Sequence, residues 1–248
     1  MKAYYKDSAG FTLVELAIVM IIIGLLVGGV LKGQELINSA KVNRTVAQIK
    51  EFDAAISTFR EMYRALPGDI MQPELLLPGC AAANGCTNAG NGDGRLDTQP
   101  YSDPAVGSET ETFFVHLATA NLITGMKADG SNPDVWDVYY PSAPINGGGY
   151  HPTWSTGLAN DFAGTLGPAT AARPGLYLSL IKTPISAEWS VLTPSQAQRI
   201  DTKLDDGAPG HGDVRAGTEG GGTNCGTDLA YAETETAETC YLHIRIQR

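Results

Sequence analysis

Proline is missing from the first 66 residues; the first is Pro67. Nothing in that stretch removes a backbone donor or forces a helix to break. Basic residues are scarce, with 17 Lys and Arg against 27 Asp and Glu and a net charge of −10. That balance argues against a nucleic-acid partner, which calls for a basic patch. The four histidines (His116, His151, His211, His243) are scattered, and no His-Glu-x-x-His pattern occurs. No Gly-x-Ser-x-Gly elbow and no Cys-x-x-Cys-His is present, so neither serine hydrolysis nor attached haem has a motif here. No internal repeat and no linker marks a second head domain.

What the chain does have is a long apolar run close to its start. A short leader, residues 1–10, carries Lys2, Lys6 and Asp7 and ends in Gly10. Phe11 to Leu31 then holds a single charge, Glu15. The run is long enough to cross a bilayer as a helix. A carboxylate inside such a span costs about 2.5–3.5 kcal/mol or more near its centre, so a residue of this kind has a partner and a role. The partner named by position is a free α-amine. A cut before Phe11 would place one beside Glu15 of an identical subunit in a helical assembly. A secretory signal has a shorter apolar core followed by a small-x-small cleavage site, and a plain signal anchor has no use for Glu15.

The stretch Ala9-Gly10-Phe11-Thr12-Leu13-Val14-Glu15-Leu16 resembles, without a gap, the N-terminus of type IV pilins and type II secretion pseudopilins. The resemblance implies that a prepilin peptidase cuts between Gly10 and Phe11 and methylates Phe11, and that Glu15 acts in subunit addition. Helices of that family often carry a proline about two-thirds along the apolar span. Here Lys32 and Gly33 stand there instead, which fits pseudopilins and minor pilins at least as well as a major pilin. Gly24, Gly28, Gly29 and Gly33 form small-xxx-small pairs that allow close helix approach, or are ordinary membrane-helix glycines.

Residues 11–66 are expected to form one helix roughly 80 Å long, with 11–31 in the membrane or a filament core. Its second half carries one continuous stripe: Val42, Val46, Ile49, Phe52, Ile56, Phe59, Tyr63 and Leu66. Pro67-Gly68-Asp69 ends it. Residues 67–248 form the head. The sequence predicts a helix over 109–124, short strands and loops over 130–174, a strand over 176–182 and a last strand over 241–247. A further helix starts at Thr193-Pro194-Ser195-Gln196 and runs to about Leu204. The fold class is α+β, with an antiparallel sheet packed on the long helix, which is also the pilin-like architecture. Phe113 to Gly125 and Asp201 to Gly207 resemble segments of larger pilin-like proteins.

Four cysteines follow the span, and an exported, oxidising location favours disulfides. Three connectivities are open. The sequence-local pairs Cys80–Cys86 and Cys225–Cys240 are preferred; zinc is disfavoured by the Cys-x5-Cys and Cys-x14-Cys spacings. Asn91, Asp93 and Asp97 lie in a loop resembling an EF-hand, with Gly94 as the turn glycine and Leu96 as the buried position. Ala89 and Pro100 stand where that loop's first and last acids belong, so the choice is between a calcium site and a polar turn. Asp201 and Asp205 are one helical turn apart and are either a cation site or a solvated helix end with a local partner such as Arg199 or Arg215. The aromatics Trp136, Tyr139, Tyr140, Tyr150 and Trp154 form either a glycan-binding surface or core anchors.

Three functions follow. The first is a structural, non-enzymatic subunit of a type IV pilus or type II secretion pseudopilus. It would be held in the bacterial inner membrane with its head outside the cytoplasm, and would then move into the filament. Its partners would be identical or related subunits, the prepilin peptidase and an inner-membrane assembly platform. The second is a periplasmic binding or enzymatic domain that uses the helix only as an anchor. The third keeps the filament and gives the head a calcium or glycan ligand.

Overall fold

A computed structural model describes residues 12–97, 108–127, 129, 132, 135–158, 161, 162, 166, 172–184 and 188–247. The fold is α+β: a long N-terminal helix, α1 (Leu13–Tyr63), and a four-stranded antiparallel sheet in a globular head. The chain divides into two units, Met1–Lys41 and Val42–Arg248.

In the first unit every residue of α1 up to Lys32 is exposed. The large apolar side chains there range from 48% exposed at Val19 to 83% at Leu13. An apolar surface of that extent marks a membrane or protein contact. Among the described residues, α1 is the one helix long and apolar enough to cross a membrane.

In the second unit α1 turns amphipathic. Val42, Val46, Ile49, Phe52, Ile56 and Phe59 of the stripe are buried, as 3- and 4-residue spacing requires of one helix face. Tyr63 is only partly buried. The helix stops at Tyr63 rather than Leu66: Arg64 adopts a left-handed φ of 58°, and a residue before proline, here Leu66, is pushed out of the α region. Leu66 is nevertheless 3% exposed, so the stripe continues beyond the helix.

The sheet comprises β1 (Gly149–Ser155), β2 (Gly175–Ile181), β3 (Val214–Gly217) and β4 (Tyr241–Arg245), in the order β1-β2-β4-β3. Register places Tyr150 opposite Leu180, Leu178 opposite Ile244 and Ala216 opposite Leu242. These side chains share the face that packs on α1, because side chains alternate along a strand. Phe52 meets the rings of Phe114 and Tyr150 edge-on, each at a 5.2 Å centroid separation. The Tyr150 hydroxyl donates to the Thr45 carbonyl at 3.3 Å. Tyr139, Tyr140 and Tyr150 are buried and Trp136 and Trp154 pack partly against the core, so the aromatic run anchors loops and sheet.

The opposite sheet face is buried as well, although its residues are polar. His151, Ser179 and His243 lie there side by side in register. Phe162 stacks on His243 at 4.2 Å and packs against Tyr177 at 4.8 Å, while the Tyr140 ring lies 4.8 Å from His151. The Ser179 hydroxyl lies 2.6 Å from His243 Nδ1 and 3.1 Å from the Thr153 hydroxyl.

Among its described residues the head also has three α-helices, α2 (Pro73–Leu76), α3 (Glu109–Thr119) and α4 (Pro194–Leu204). Helix α3 ends five residues before the expected Thr124, because Asn121 turns to a φ of 57°. Helix α4 starts as its sequence predicts: the Thr193 hydroxyl accepts from Gln196 N–H, and the Gln196 side chain accepts from Thr193 N–H. Replacing Phe52 with Ala removes a ring that two other rings pack on and is expected to cost about 3–5 kcal/mol. Urea unfolding of the detergent-extracted protein reads this, and a loss under about 1 kcal/mol contradicts the packing described.

Candidate functional site

The cleavage and methylation residues Gly10 and Phe11 lie outside the described residues. The described chain begins beside them, at Thr12, and the geometry there is specific. The Thr12 backbone N–H donates to Glu15 Oε2 at 2.8 Å and the Thr12 hydroxyl donates to the same oxygen at 2.7 Å. The Glu15 N–H donates back to Thr12 Oγ1 at 3.3 Å. This is a capping box: the threonine and the acid three residues on satisfy each other's ends at the first turn of α1. It also places a negative charge where the helix dipole favours one. Around it, Leu13, Val14, Leu16 and the side chains beyond are apolar and exposed. The arrangement is an unburied apolar stretch, Leu13 to Leu31, whose one carboxylate is held at the helix tip by its own N-terminal turn.

The chain carries a prokaryotic N-terminal methylation motif, matched over residues 5–31. This is the signal motif of type IV pilin and pseudopilin precursors. Glu15 and its Thr12 partner fall inside it, as do the leader's last residues. No curated protein and no solved structure matches the chain. The role of Thr12 went unread in the sequence, although Thr-x-x-Glu before an apolar run is a capping-box signature.

Among the described residues of the head, three further polar clusters bear on the site residues expected from the sequence. In the first, the loop bearing Asn91, Asp93 and Asp97 closes over two buried acids. Asp69, 2% exposed, accepts from Gly92 N–H at 2.6 Å and Gly94 N–H at 2.7 Å. Glu109, 6% exposed, accepts from Asn91 N–H and Asp97 N–H, both at 2.9 Å. Burial raises the Glu109 carboxyl above its ordinary range, against those two donors. Within the loop Asn91 Oδ1 accepts from Asp93 N–H, Asp93 Oδ1 from Arg95 N–H, and Asp97 Oδ2 from the Asn91 amide. The first two of these are Asx turns. Gly90 is required for the close approach, since a Cβ there would sit 2.5 Å from Asp69 Cα. The signal missed in the sequence is the pair of acids bracketing the Gly/Asn-rich loop, Asp69 just after α1 and Glu109 at the start of α3.

The second cluster is built on His116, fully buried in α3. Its Nδ1 accepts from Gly68 N–H at 2.9 Å, so Nε2 carries the hydrogen and donates to the Cys86 carbonyl at 3.0 Å. The histidine thus ties the turn after α1 to the Cys80–Cys86 disulfide. The second disulfide joins Cys225 and Cys240. All four cysteines are therefore paired in the sequence-local pattern.

The third cluster is Asp201, Asp205 and Asp206 at the end of α4, whose carboxylate oxygens can lie within 4.8 Å of one another. Asp201, fully buried, accepts from the Tyr231 hydroxyl at 2.8 Å and Gly207 N–H at 3.2 Å. Arg215, a partner the sequence offered, instead donates to the Leu166 carbonyl at 3.3 Å. Asp205 accepts from the backbone N–H groups of Asp213 and Val214. Its carboxylate therefore joins the end of α4 to β3.

Burial holds three histidines neutral. It drives His116 down to about 4, against the pull of the Cys86 carbonyl. It also lowers His151 to about 4 and His243 to about 3, with Arg215 nearby adding to the shift of His243. The unfolded chain takes up these protons near pH 6.5. Their stabilisation is therefore complete above that pH and is lost as the pH falls towards 4. Asp201 acts in the opposite sense. Burial raises it to about 7, so its contribution is full below about pH 4 and fades as the pH rises through 7. Glu109, also raised by burial, acts with Asp201. Asp161, in which burial is outweighed by hydrogen bonds that lower the carboxyl, acts with the three imidazoles. The urea midpoint is therefore expected to be lower at about pH 4.5 than at about pH 7. A higher midpoint in acid would contradict this account of the buried imidazoles.

Proposed function

We propose that this chain is a structural subunit, minor or specialised, of a bacterial type IV pilus or type II secretion pseudopilus, and that it is not an enzyme. The observation carrying this reading is Glu15: one acid at a fixed place in a methylation motif, on an apolar helix whose side chains are uncovered. Lys2 and Lys6 keep the leader on the cytoplasmic side of the inner membrane, and α1 stores the subunit there with its head outside. The prepilin peptidase cuts after Gly10 and methylates the Phe11 amine. An assembly platform then brings subunits together. The carboxylate of Glu15 meets the N-terminal ammonium of a neighbouring subunit, which neutralises two charges that lipid penalises singly. The first half of α1 passes from lipid to a filament core without entering water. The head becomes filament surface, and its acidity fits a role without nucleic acid.

Glu15→Ala tests this against the anchored-domain alternative. The expected outcome is a cleaved chain that accumulates in the membrane, with filament yield reduced at least about tenfold, the factor given by about 1.4 kcal/mol. A variant that assembles as well as wild type, or a head that keeps a measurable activity regardless of Glu15, would return the anchored domain to the front.

A second reading adds calcium at Asn91, Asp93 and Asp97. It is supported by the convergence of Asp69 and Glu109 on the same loop, which brings five oxygen-bearing side chains to residues 91–97. Against it, most of those oxygens already accept N–H groups. This reading expects the thermal midpoint to rise by several degrees in calcium over EGTA, about 1 kcal/mol for a head of this size. Identical midpoints would remove it.

A further inference from the structure

The head carries an apolar knob and an apolar groove in separate places, and each has unpaired charge of the opposite sign. The groove has a volume of about 310 Å³ and lies where α1, α4 and β4 meet. Its floor is Ile49, Leu204, Ile244 and Ile246. Lys50 and Lys203 stand at its rim, both exposed and with no hydrogen bond or ion pair among the described residues. Asp53, also at the rim, is already engaged by Gln247 N–H at 2.9 Å. Arg245 is turned to Asp213 and to the Pro174 carbonyl. The groove therefore presents two unsatisfied ammonium groups over an aliphatic floor, on a chain whose net charge is −10. Its volume is at the small end for a ligand site, which suits a short segment rather than a broad surface.

The knob is α2, the single turn after the end of α1. Leu75 is 78% exposed and Leu76 48%, while Leu77 just beyond is 2% exposed and anchors the turn in the core. Glu74 is exposed and makes no ion pair among the described residues. Met71, 66% exposed, widens the apolar surface. Two leucines and one acid match an aliphatic groove rimmed by two lysines in both shape class and charge.

Along the axis of α1, Ile49 and Tyr63 are about 21 Å apart at 1.5 Å per residue. The groove sits at the first position and the knob follows the second. A contact between different patches on two copies can be heterologous and repeat head to tail from copy to copy, as a filament requires. We infer that the Glu74-Leu75-Leu76 turn of one copy docks in the groove between α1, α4 and β4 of a second copy, with Glu74 between Lys50 and Lys203. This rests on the filament reading above and assigns the head its subunit-to-subunit contact. Burial of the leucines supplies attraction, and the charges set the register.

The test uses the full chain expressed with its peptidase and assembly platform, with sheared filaments quantified. Glu74→Lys is expected to lower filament yield about tenfold, as is the pair Lys50→Glu with Lys203→Glu, a factor equivalent to about 1.4 kcal/mol. Combining all three restores attraction with the signs exchanged and is expected to recover most of the yield. Leu75→Asp is expected to lower yield without such rescue. All four side chains are exposed or half-exposed, so thermal midpoints of the extracted variants should stay with wild type and thereby separate docking from folding. Zero-length carbodiimide cross-linking of wild-type filaments should join Glu74 of one copy to Lys50 or Lys203 of another. Filaments that form normally with either reversal, or show no such cross-link, overturn the docking alone. A wild-type chain that is never cleaved or assembled overturns the filament reading, and the docking falls with it.

Discussion

A carboxylate in an otherwise uncharged helical span is the constraint on which the rest of this molecule depends. Hydrocarbon penalises an unpaired charge by several kcal/mol, so Glu15 must be satisfied at every stage. In the single chain it is satisfied locally: the Thr12 N–H and hydroxyl both reach Glu15 Oε2. In an assembly the opposite charge would come from another copy. A carboxylate accepts at both oxygens, so an ammonium could add to the Thr12 cap without displacing it. Such a pair would be favourable only where water is excluded and the ammonium is close. The apolar side chains from Leu13 to Leu31 provide such a setting only when something covers them, a bilayer or neighbouring helices.

The head solves a different problem. From Val42 onward the stripe on α1 must be covered, and the sheet supplies Tyr150, Leu180, Leu242 and Ile244 to do so. The polar outer face of the sheet is covered in turn by aromatic rings, Phe162 over His243 and Tyr140 against His151, and both imidazoles are held neutral by burial. Loops are held by a few buried or half-buried polar groups, each satisfying two backbone donors or linking two segments. Asp69 and Glu109 hold the Asn/Gly loop, His116 joins the Gly68 turn to the Cys86 carbonyl, and Asp205 ties the end of α4 to β3. Each of these groups satisfies backbone donors or carbonyls that an irregular segment would otherwise leave unpaired.

Much of this was legible before any coordinates. The apolar run, the lone acid and the 3- and 4-residue stripe are periodic or singular features, and the capping box at Thr193 is local chemistry. The helix end at Tyr63 was misplaced because a stripe continues through Leu66 while the backbone has already turned at Arg64. Strand β3 left no usable pattern: its four residues, Val214 to Gly217, are too few to show alternation. The pinning roles of Asp69, Glu109 and His116 were hidden because each acts on backbone distant in sequence, where neither periodicity nor spacing reports contact. The burial of His243 was missed because alternation tells which residues share a face, not whether that face is covered.

The account's central claim is that this helix is a processed assembly segment and not an anchor. Intact mass of the membrane-extracted protein, with the prepilin peptidase present and absent, tests it most directly. The account predicts loss of residues 1–10 and gain of one methyl group on Phe11, only when the peptidase is present. An uncleaved chain, or one cut elsewhere, would contradict it and leave Glu15 without a function.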